Sequence, residues 1–311
     1  MVSFGHCKSY LEVCCLTSNK YTSDDKITFK SRTYKGCGHR NPIGIGFQIT
    51  GATNDEAQFS EFPWVVAILE KEKFGIPQHC EGSLIHPSVV LTAAHCVYNK
   101  AKSHLIVRAG EWVTKMEVEV LPYQDRHVSD LVVHKSYQPD TLINDFALLR
   151  LFQPVEITDN VNIVCLPQFD TKLNIQNCVS SGWGGSDILG SKKRHQDILK
   201  MVELSIVPQN ICENLLRNTW LGKEFQLHDS FICAGSKDDK DTCKGDGGSP
   251  LVCPVKNDQQ KYYQIGIVTG GIGCGVHQIP GIHTGVSYAR FWIHRKMTQW
   301  GFDYNKYQYN L

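Results

Sequence analysis

The sequence predicts an all-β protein, built as a sandwich or a barrel, and two observations support this fold class. From Phe62 onward, short runs rich in β-forming residues alternate with Gly, Pro, Asn and Asp, the pattern expected of many short strands joined by turns. Helical periodicity is confined to two stretches in the C-terminal half of the chain. The predicted strands include residues 64–69, 105–107, 146–151, 202–207 and 262–268.

The two helical stretches differ in their signals. Residues 208–218 begin with proline, which is favoured in the first turn of a helix, and then repeat apolar residues at helical spacing. The second stretch carries an apolar stripe that consists of Ala289, Ile293, Met297 and Trp300. Because such a stripe packs a helix against a core, we expect a C-terminal helix on the β-rich part.

Composition excludes several classes of protein. The 311 residues carry 32 Lys and Arg against 31 Asp and Glu, a balance that argues against nucleic-acid binding, which needs a basic face. Hydrophobic residues make up 41% of the chain, enough for a full core and too many for a disordered protein. No apolar run approaches the roughly 18–20 residues that cross a bilayer, so we expect no membrane span.

The cysteines indicate the compartment. All 13 are dispersed without paired CxxC knuckles, so a zinc ribbon is not expected. Dispersed cysteines in this number are typical of a disulfide framework in a secreted protein. Residues 1–15 lack the basic start and apolar core of a signal peptide. We therefore expect a secreted protein whose N-terminus is truncated.

Three segments carry the chemistry: LTAAHC at 91–96, NDFALL at 144–149 and DTCKGDGGSP at 241–250. Together with the shorter matches FPW, VCLP, GWG and PGIHT, they make the chain resemble the trypsin/chymotrypsin family. The resemblance implies a trypsin-like double β-barrel with a C-terminal helix, within a homology domain at 49–311.

In that family a histidine takes the proton of a serine nucleophile, and a buried aspartate orients the histidine. The resemblance places His95 and Asp145 at these two positions and places the nucleophile position on Gly247. Glycine has no side chain that can attack a carbonyl, so the sequence predicts a pseudoprotease that requires no cofactor. The backbone N–H groups of Gly245 and Gly247 are the expected remnant of an oxyanion hole.

One other hydroxyl lies in the same turn. Ser249 is two residues from the nucleophile position, and its use would make the chain an active trypsin-like endopeptidase, which is the alternative function. The resemblance also places Asp241 at the base of the specificity pocket, where it selects Arg or Lys in trypsin-like members.

Activation and calcium binding are judged from the same resemblance. Active relatives are cut after Arg or Lys, but Gln48 stands there in this chain, so the usual cut is not expected. The amino terminus that normally pairs with the residue matching Asp246 would then not form.

Carboxylates near the loop that binds calcium in some relatives make a calcium candidate of Glu111, Glu117 and Glu119.

The N-terminal segment CKSYLEVCC, with Cys7, Cys14 and Cys15, resembles the end of a clip domain, the disulfide-rich module that precedes arthropod proteases. We predict a truncated clip remnant at 1–36, a linker at 37–48 and the homology domain at 49–311. The three clip cysteines need partners outside this sequence. The resemblance implies five disulfides, which are Cys37–Cys165, Cys80–Cys96, Cys178–Cys253, Cys212–Cys233 and Cys243–Cys274.

These features together resemble the clip-domain serine protease homologues of insects. The resemblance implies a secreted haemolymph protein that acts without catalysis as a cofactor or regulator in a cascade of innate immunity, notably prophenoloxidase activation in melanisation. Its expected partners are cascade proteases, prophenoloxidase-like proteins and, after cleavage, further copies of itself. A recognition module for microbial surfaces or for an adhesion partner is a second alternative.

Overall fold

Twelve strands form two closed barrels in the part of the chain that the computed structural model describes. The described residues are 36–46, 55–72, 75, 77–114, 121–168, 171–184, 197–235, 246–270 and 279–302. All of them belong to one compact unit, residues 32–311. The predicted all-β class and the double barrel are confirmed, whereas the clip remnant at 1–36 lies almost entirely outside the described residues.

The first barrel closes in the order β1-β2-β3-β6-β5-β4, with every neighbouring pair antiparallel. Its strands are β1 Val65–Glu70, β2 Gln78–His86, β3 Val89–Thr92, β4 Leu105–Ala109, β5 Gln124–Val133 and β6 Ala147–Leu151. Closure leaves no strand edge open, and the apolar runs that predicted β1 and β6 are buried inside.

The second barrel closes in the order β10-β11-β12-β9-β8-β7. Its strands are β7 Cys178–Gly182, β8 Lys200–Val207, β9 Phe231–Gly235, β10 Pro250–Val255, β11 Asp258–Gly270 and β12 Gly281–Gly285. Leu204, Ala234 and Leu251 pack around the buried Cys178–Cys253 disulfide. This core fixes β10, and β10 begins directly after the turn that carries Gly247.

Three α-helices lie outside the barrels in the described chain: α1 Ala94–Val97, α2 Gln209–Arg217 and α3 Val286–Gln299. Both predicted helices, α2 and α3, are confirmed. Helix α3 buries Ala289, Ile293 and Met297 of the predicted stripe. Trp300 follows the helix, and its indole N–H donates to Asp130 on β5 of the first barrel at 3.1 Å.

The described part of the predicted linker, residues 37–46, is packed against the barrels. Cys37 is bonded to Cys165, and the backbone of Gly38 pairs with both Ile163 and Tyr262 at 2.8 Å. Gly38 has a φ of +74°, and a Cβ there would collide with the Tyr262 carbonyl, so glycine is required for this close approach.

Arg40 anchors the same segment. Its guanidinium donates to Glu61 at 2.5 and 2.8 Å and to the Tyr262 hydroxyl at 2.8 Å, and it lies 5.0 Å from the centre of the Phe62 ring. The Glu61 side chain is only 4% exposed, so the arginine supplies the charge that this buried carboxylate needs.

Four disulfides are present in the described residues, and they are the implied pairs Cys37–Cys165, Cys80–Cys96, Cys178–Cys253 and Cys212–Cys233. Cys243 and Cys274 lie outside the described residues. No described helix has the length and apolar character that crossing a membrane requires.

Candidate functional site

The candidate site lies where the two barrels meet, and its first component is a histidine–aspartate pair. His95 sits on α1 directly after β3, and Asp145 sits directly before β6. The Nδ1 atom of His95 lies 2.7 Å from Asp145 Oδ2, and the His95 backbone N–H donates to Asp145 Oδ1 at 2.7 Å. Asp145 is fully buried while the His95 side chain is 28% exposed. The buried carboxylate therefore fixes the orientation of the imidazole and leaves Nε2 as the ring nitrogen that faces position 247.

The turn before β6 explains how Asp145 reaches the histidine. Asn144 has a φ of +59°, a conformation that asparagine tolerates better than most residues. Its backbone N–H donates to the Ser230 hydroxyl at 3.2 Å, and its side-chain amide donates to the Ser136 carbonyl at 2.9 Å. These two bonds hold the turn so that the next side chain points at α1.

Gly247 faces the same histidine. A Cβ built on Gly247 would lie 2.7 Å from His95 Nε2, 3.3 Å from His95 Cε1 and 3.6 Å from the Cys80 sulfur. The structure thus brings His95, Asp145 and Gly247 together, and the imidazole edge occupies the space that the first side-chain atom at position 247 would take.

Ser249 lies in the same turn, but it is fully buried. Its hydroxyl donates to the Glu81 carboxyl. A hydroxyl that is buried in the protein and donates its hydrogen bond to a carboxyl group is not placed to attack a peptide. The geometry therefore gives no support to Ser249 as a nucleophile.

Glu81, a residue that sequence reasoning missed, is fully buried in β2. Its Oε1 atom accepts the Trp183 backbone N–H at 2.5 Å and the Gln78 amide at 3.2 Å, and its Oε2 accepts the Ser249 hydroxyl. Burial, reinforced by the negative charge of Asp246, raises the pKa of Glu81 well above its usual range, although these three donors partly offset the rise. A charged residue near the start of the otherwise uncharged run CEGSLI was the signal that could have found it.

Asp246 begins the turn and adds a second acid beside Glu81. Its Oδ1 atom accepts the Gly184 backbone N–H at 2.8 Å. A Cβ on Gly182 would lie closer than 3.0 Å to side-chain oxygens of Glu81, Asp246 and Ser249 alike. Three oxygens therefore converge on a glycine that has no room for a side chain, and we call Glu81, Asp246 and Ser249 the acid cluster.

Other predicted site residues fall outside the described part of the chain. They are Asp241, Gly245, Gln48, Glu117 and Glu119, and their predicted roles stay predictions. Glu111 is described and buried, and its Oε2 accepts an N–H of Arg108 at 3.1 Å. The same guanidinium donates twice to Asp125, at 2.8 and 2.9 Å. Arginine thus supplies positive charge beside the described member of the calcium candidate.

Cys80, His95 and Cys96 form the metal-ligand cluster found among the described residues, with their ligand atoms within 4.8 Å of one another. The two sulfurs are joined in a disulfide and are not thiolates, so this cluster lacks the donors that zinc or copper requires.

His283 lies in β12, within the PGIHT match, and is fully buried in the second barrel. Neither ring nitrogen makes a well-formed hydrogen bond within the described chain. Burial lowers the pKa of His283 to about 4, which a contact with the Gly281 backbone only partly offsets. The imidazole is therefore neutral at pH 7.

Comparison with known proteins gives consistent results. A sequence model of the trypsin family matches residues 52–293. Phenoloxidase-activating factor 2 of Galleria mellonella is 46% identical over 291 residues, which cover 90% of this chain and 95% of that protein. Inactive CLIP domain-containing serine protease A8 of Anopheles gambiae is 37% identical, with coverage of 94% and 80%. The protein named inactive CLIP domain-containing serine protease A28, from the same mosquito, is 35% identical, with coverage of 93% and 78%.

Proposed function

This chain belongs to the trypsin family as a clip-domain serine protease homologue of the insect type, and from this premise we propose that it is a secreted pseudoprotease. Its role is that of a binding cofactor in an extracellular proteolytic cascade that leads to phenoloxidase activation. The observation that carries the proposal is Gly247 opposite an otherwise complete His95–Asp145 pair.

The chemistry of this arrangement supports the absence of catalysis. His95 retains an acceptor nitrogen, but position 247 offers no hydroxyl from which it could take a proton. In subtilisin, removal of the serine lowers kcat by about 10⁶-fold, equivalent to about 8 kcal/mol of transition-state stabilisation. A remnant oxyanion hole would stabilise a charge that no residue here generates.

The similar proteins and the disulfides support the cascade role and the secretion. One relative is named a phenoloxidase-activating factor and two are named inactive, so the proposed partners are cascade proteases and prophenoloxidase-like proteins, with self-association after cleavage. Four disulfides in the described residues suit an oxidising, extracellular compartment such as haemolymph.

The first experiment tests catalysis directly. The intact mass of the protein is measured after exposure to a fluorophosphonate, both uncut and after nicking by trypsin, with active trypsin as the positive control. We expect no adduct in either form. An adduct that maps to Ser249 would establish the alternative, an active endopeptidase, and would refute the pseudoprotease.

A reversion series tests the reason for inactivity. Gly247→Ser alone should restore little cleavage of Arg or Lys esters, because Gln48 still blocks the usual activating cut and Ser249 replaces the glycine that the family has in this turn. Adding Gln48→Arg and Ser249→Gly should give measurable cleavage after trypsin-like activation. Full activity of the single revertant would contradict this account.

The second experiment tests the cofactor role. A prophenoloxidase preparation is activated by its protease with and without this chain, and phenoloxidase activity is recorded. We expect stimulation by the chain, and equal stimulation by the matched variant His95→Ala, which removes the remaining base. Failure of the chain to stimulate in uncut and nicked forms would refute the cofactor role, and a loss of stimulation confined to His95→Ala would point to chemistry.

A further inference from the structure

Glu81 connects the two barrels at the turn that carries Gly247. It belongs to β2 of the first barrel, whereas Trp183 follows β7 and Ser249 precedes β10 of the second. Its two carboxyl oxygens accept hydrogen bonds from Trp183 and from Ser249, so one side chain links β2 to two separate segments of the other barrel.

The backbone of Glu81 reinforces this link. Its N–H donates to the Gly247 carbonyl at 3.0 Å, and its carbonyl accepts the Thr92 hydroxyl at 2.6 Å. Gly248 has a φ of +88°, and a Cβ there would collide with the Glu81 carbonyl oxygen. The turn at 246–249 therefore lies directly against β2, with the backbone of one touching the backbone of the other.

The hydrogen bonds within the turn show that it is formed in the uncut chain. The Gly248 N–H donates to the Val268 carbonyl at 2.9 Å, and the Ser249 N–H donates to the Asp246 carbonyl at 3.0 Å. The Asp246 carboxylate accepts the Gly184 N–H. All of these contacts exist without an amino terminus released by proteolysis.

We infer that Glu81 is a positioning residue, which holds the 246–249 turn against β2 through Ser249 and Trp183 and so keeps Gly247 opposite His95 before any cleavage. The role depends on the hydrogen-bonding atoms at the end of the side chain and not on its volume. This inference goes beyond the proposed cofactor function and does not depend on it, because it concerns how the remnant site is ordered.

Asp246 is the titratable group that bears on Glu81 within the described residues, while Gln78, Trp183 and Ser249 face it with neutral donors. Glu81 is fully buried whereas Asp246 is only partly buried, so the negative charge that is costly to hold here is that of Glu81. Glutamine is uncharged and keeps one acceptor oxygen for the Trp183 N–H, and its amide N–H can donate to the Ser249 hydroxyl oxygen in place of the second acceptor. Leucine has a similar volume and makes neither bond.

The test compares Glu81→Gln with Glu81→Leu by amide hydrogen exchange in the full chain. The Trp183 amide reports the direct bond to Glu81, and the Gly248 amide reports the turn, because its own acceptor is Val268. In Glu81→Leu we expect both amides to exchange at least about tenfold faster, while in Glu81→Gln both stay within about threefold of the unaltered chain. The Val164 amide, which donates to Leu84, should not change and serves as the internal control.

Two results would overturn the inference. One is faster exchange at Trp183 alone, with Gly248 still protected in Glu81→Leu, and the other is equal loss of protection in the glutamine and leucine variants. Should Glu81→Leu fail to fold, Ser249→Ala replaces it, because it removes the donor from the turn and leaves β2 intact. Faster exchange of the Gly248 amide in that variant would support the positioning role, and unchanged exchange would refute it.

Discussion

Replacing His283 by phenylalanine should change how the stability of the protein depends on pH. The pKa of this buried imidazole is about 4 in the folded protein, against 6.5 for an ordinary histidine. The unfolded chain therefore binds a proton at higher pH than the folded chain does. Each pH unit between the two values is worth about 1.4 kcal/mol, so the linked change in the free energy of unfolding is about 3 kcal/mol.

Because the pKa of His283 is lowered in the folded protein, a fall in pH destabilises the fold. The stability contributed by neutral His283 is fully present above pH 6.5, declines as the pH falls from 6.5 towards 4, and is lost below that range. Phenylalanine cannot bind a proton and removes two nitrogens that lack well-formed hydrogen bonds, so His283→Phe should lack this component.

Urea unfolding at pH 7.5, 5.5 and 4, with disulfides intact, measures the effect as the difference between the variant and the unaltered chain. We expect this difference to shift in favour of His283→Phe by about 3 kcal/mol between pH 7.5 and pH 4. The matched control is His127→Phe, at an exposed position of β5, which should show no such shift. Parallel pH dependences for His283→Phe and the unaltered chain would refute the reasoning.

Three further predictions concern packing and cross-links. Gly182→Ala would push a methyl group against the three oxygens of the acid cluster. It should lower the free energy of unfolding, measured by urea titration, by about 1–3 kcal/mol. The control Gly235→Ala, whose new methyl group meets only ordinary contacts, should lower it less. Removing the disulfide with Cys37→Ala and Cys165→Ala should cost about 2–5 kcal/mol in the same titration, and no loss would mean that the segment is held by other contacts. Arg40→Ala leaves its glutamate partner buried without a counter-charge and should cost about 3 kcal/mol, so an unchanged melting temperature would contradict the anchoring role.

The fold was predictable because its signals are local. Apolar runs separated by turn residues identified strands such as β1 and β8, and the proline at 208 together with the stripe on α3 identified the two longer helices. His95, Asp145 and Gly247 were found from three short motifs, since each motif has a fixed place in a known family.

The acid cluster could not be predicted in the same way. Glu81 and Ser249 are 168 residues apart, and nothing in either local sequence states that β2 lies against the turn before β10. The anchoring of Arg40 by Glu61 and Tyr262 depends on the same kind of distant contact. Side-chain pairing across the meeting of two barrels is a property of the assembled fold, and a strand pattern carries no information about it.

The Cys37–Cys165 bond has a consequence for what proteolysis can do to this molecule. Any cut between residues 47 and 54 falls after Cys37 and before Cys165 in the chain, so the upstream piece stays covalently attached to the barrels. Such a cut would change the number of polypeptides while adding only one water to the mass of the particle, and a gel would reveal it only under reducing conditions. Cleavage at this place would therefore release no fragment: the upstream segment and the barrels stay in one molecule and in equal amounts.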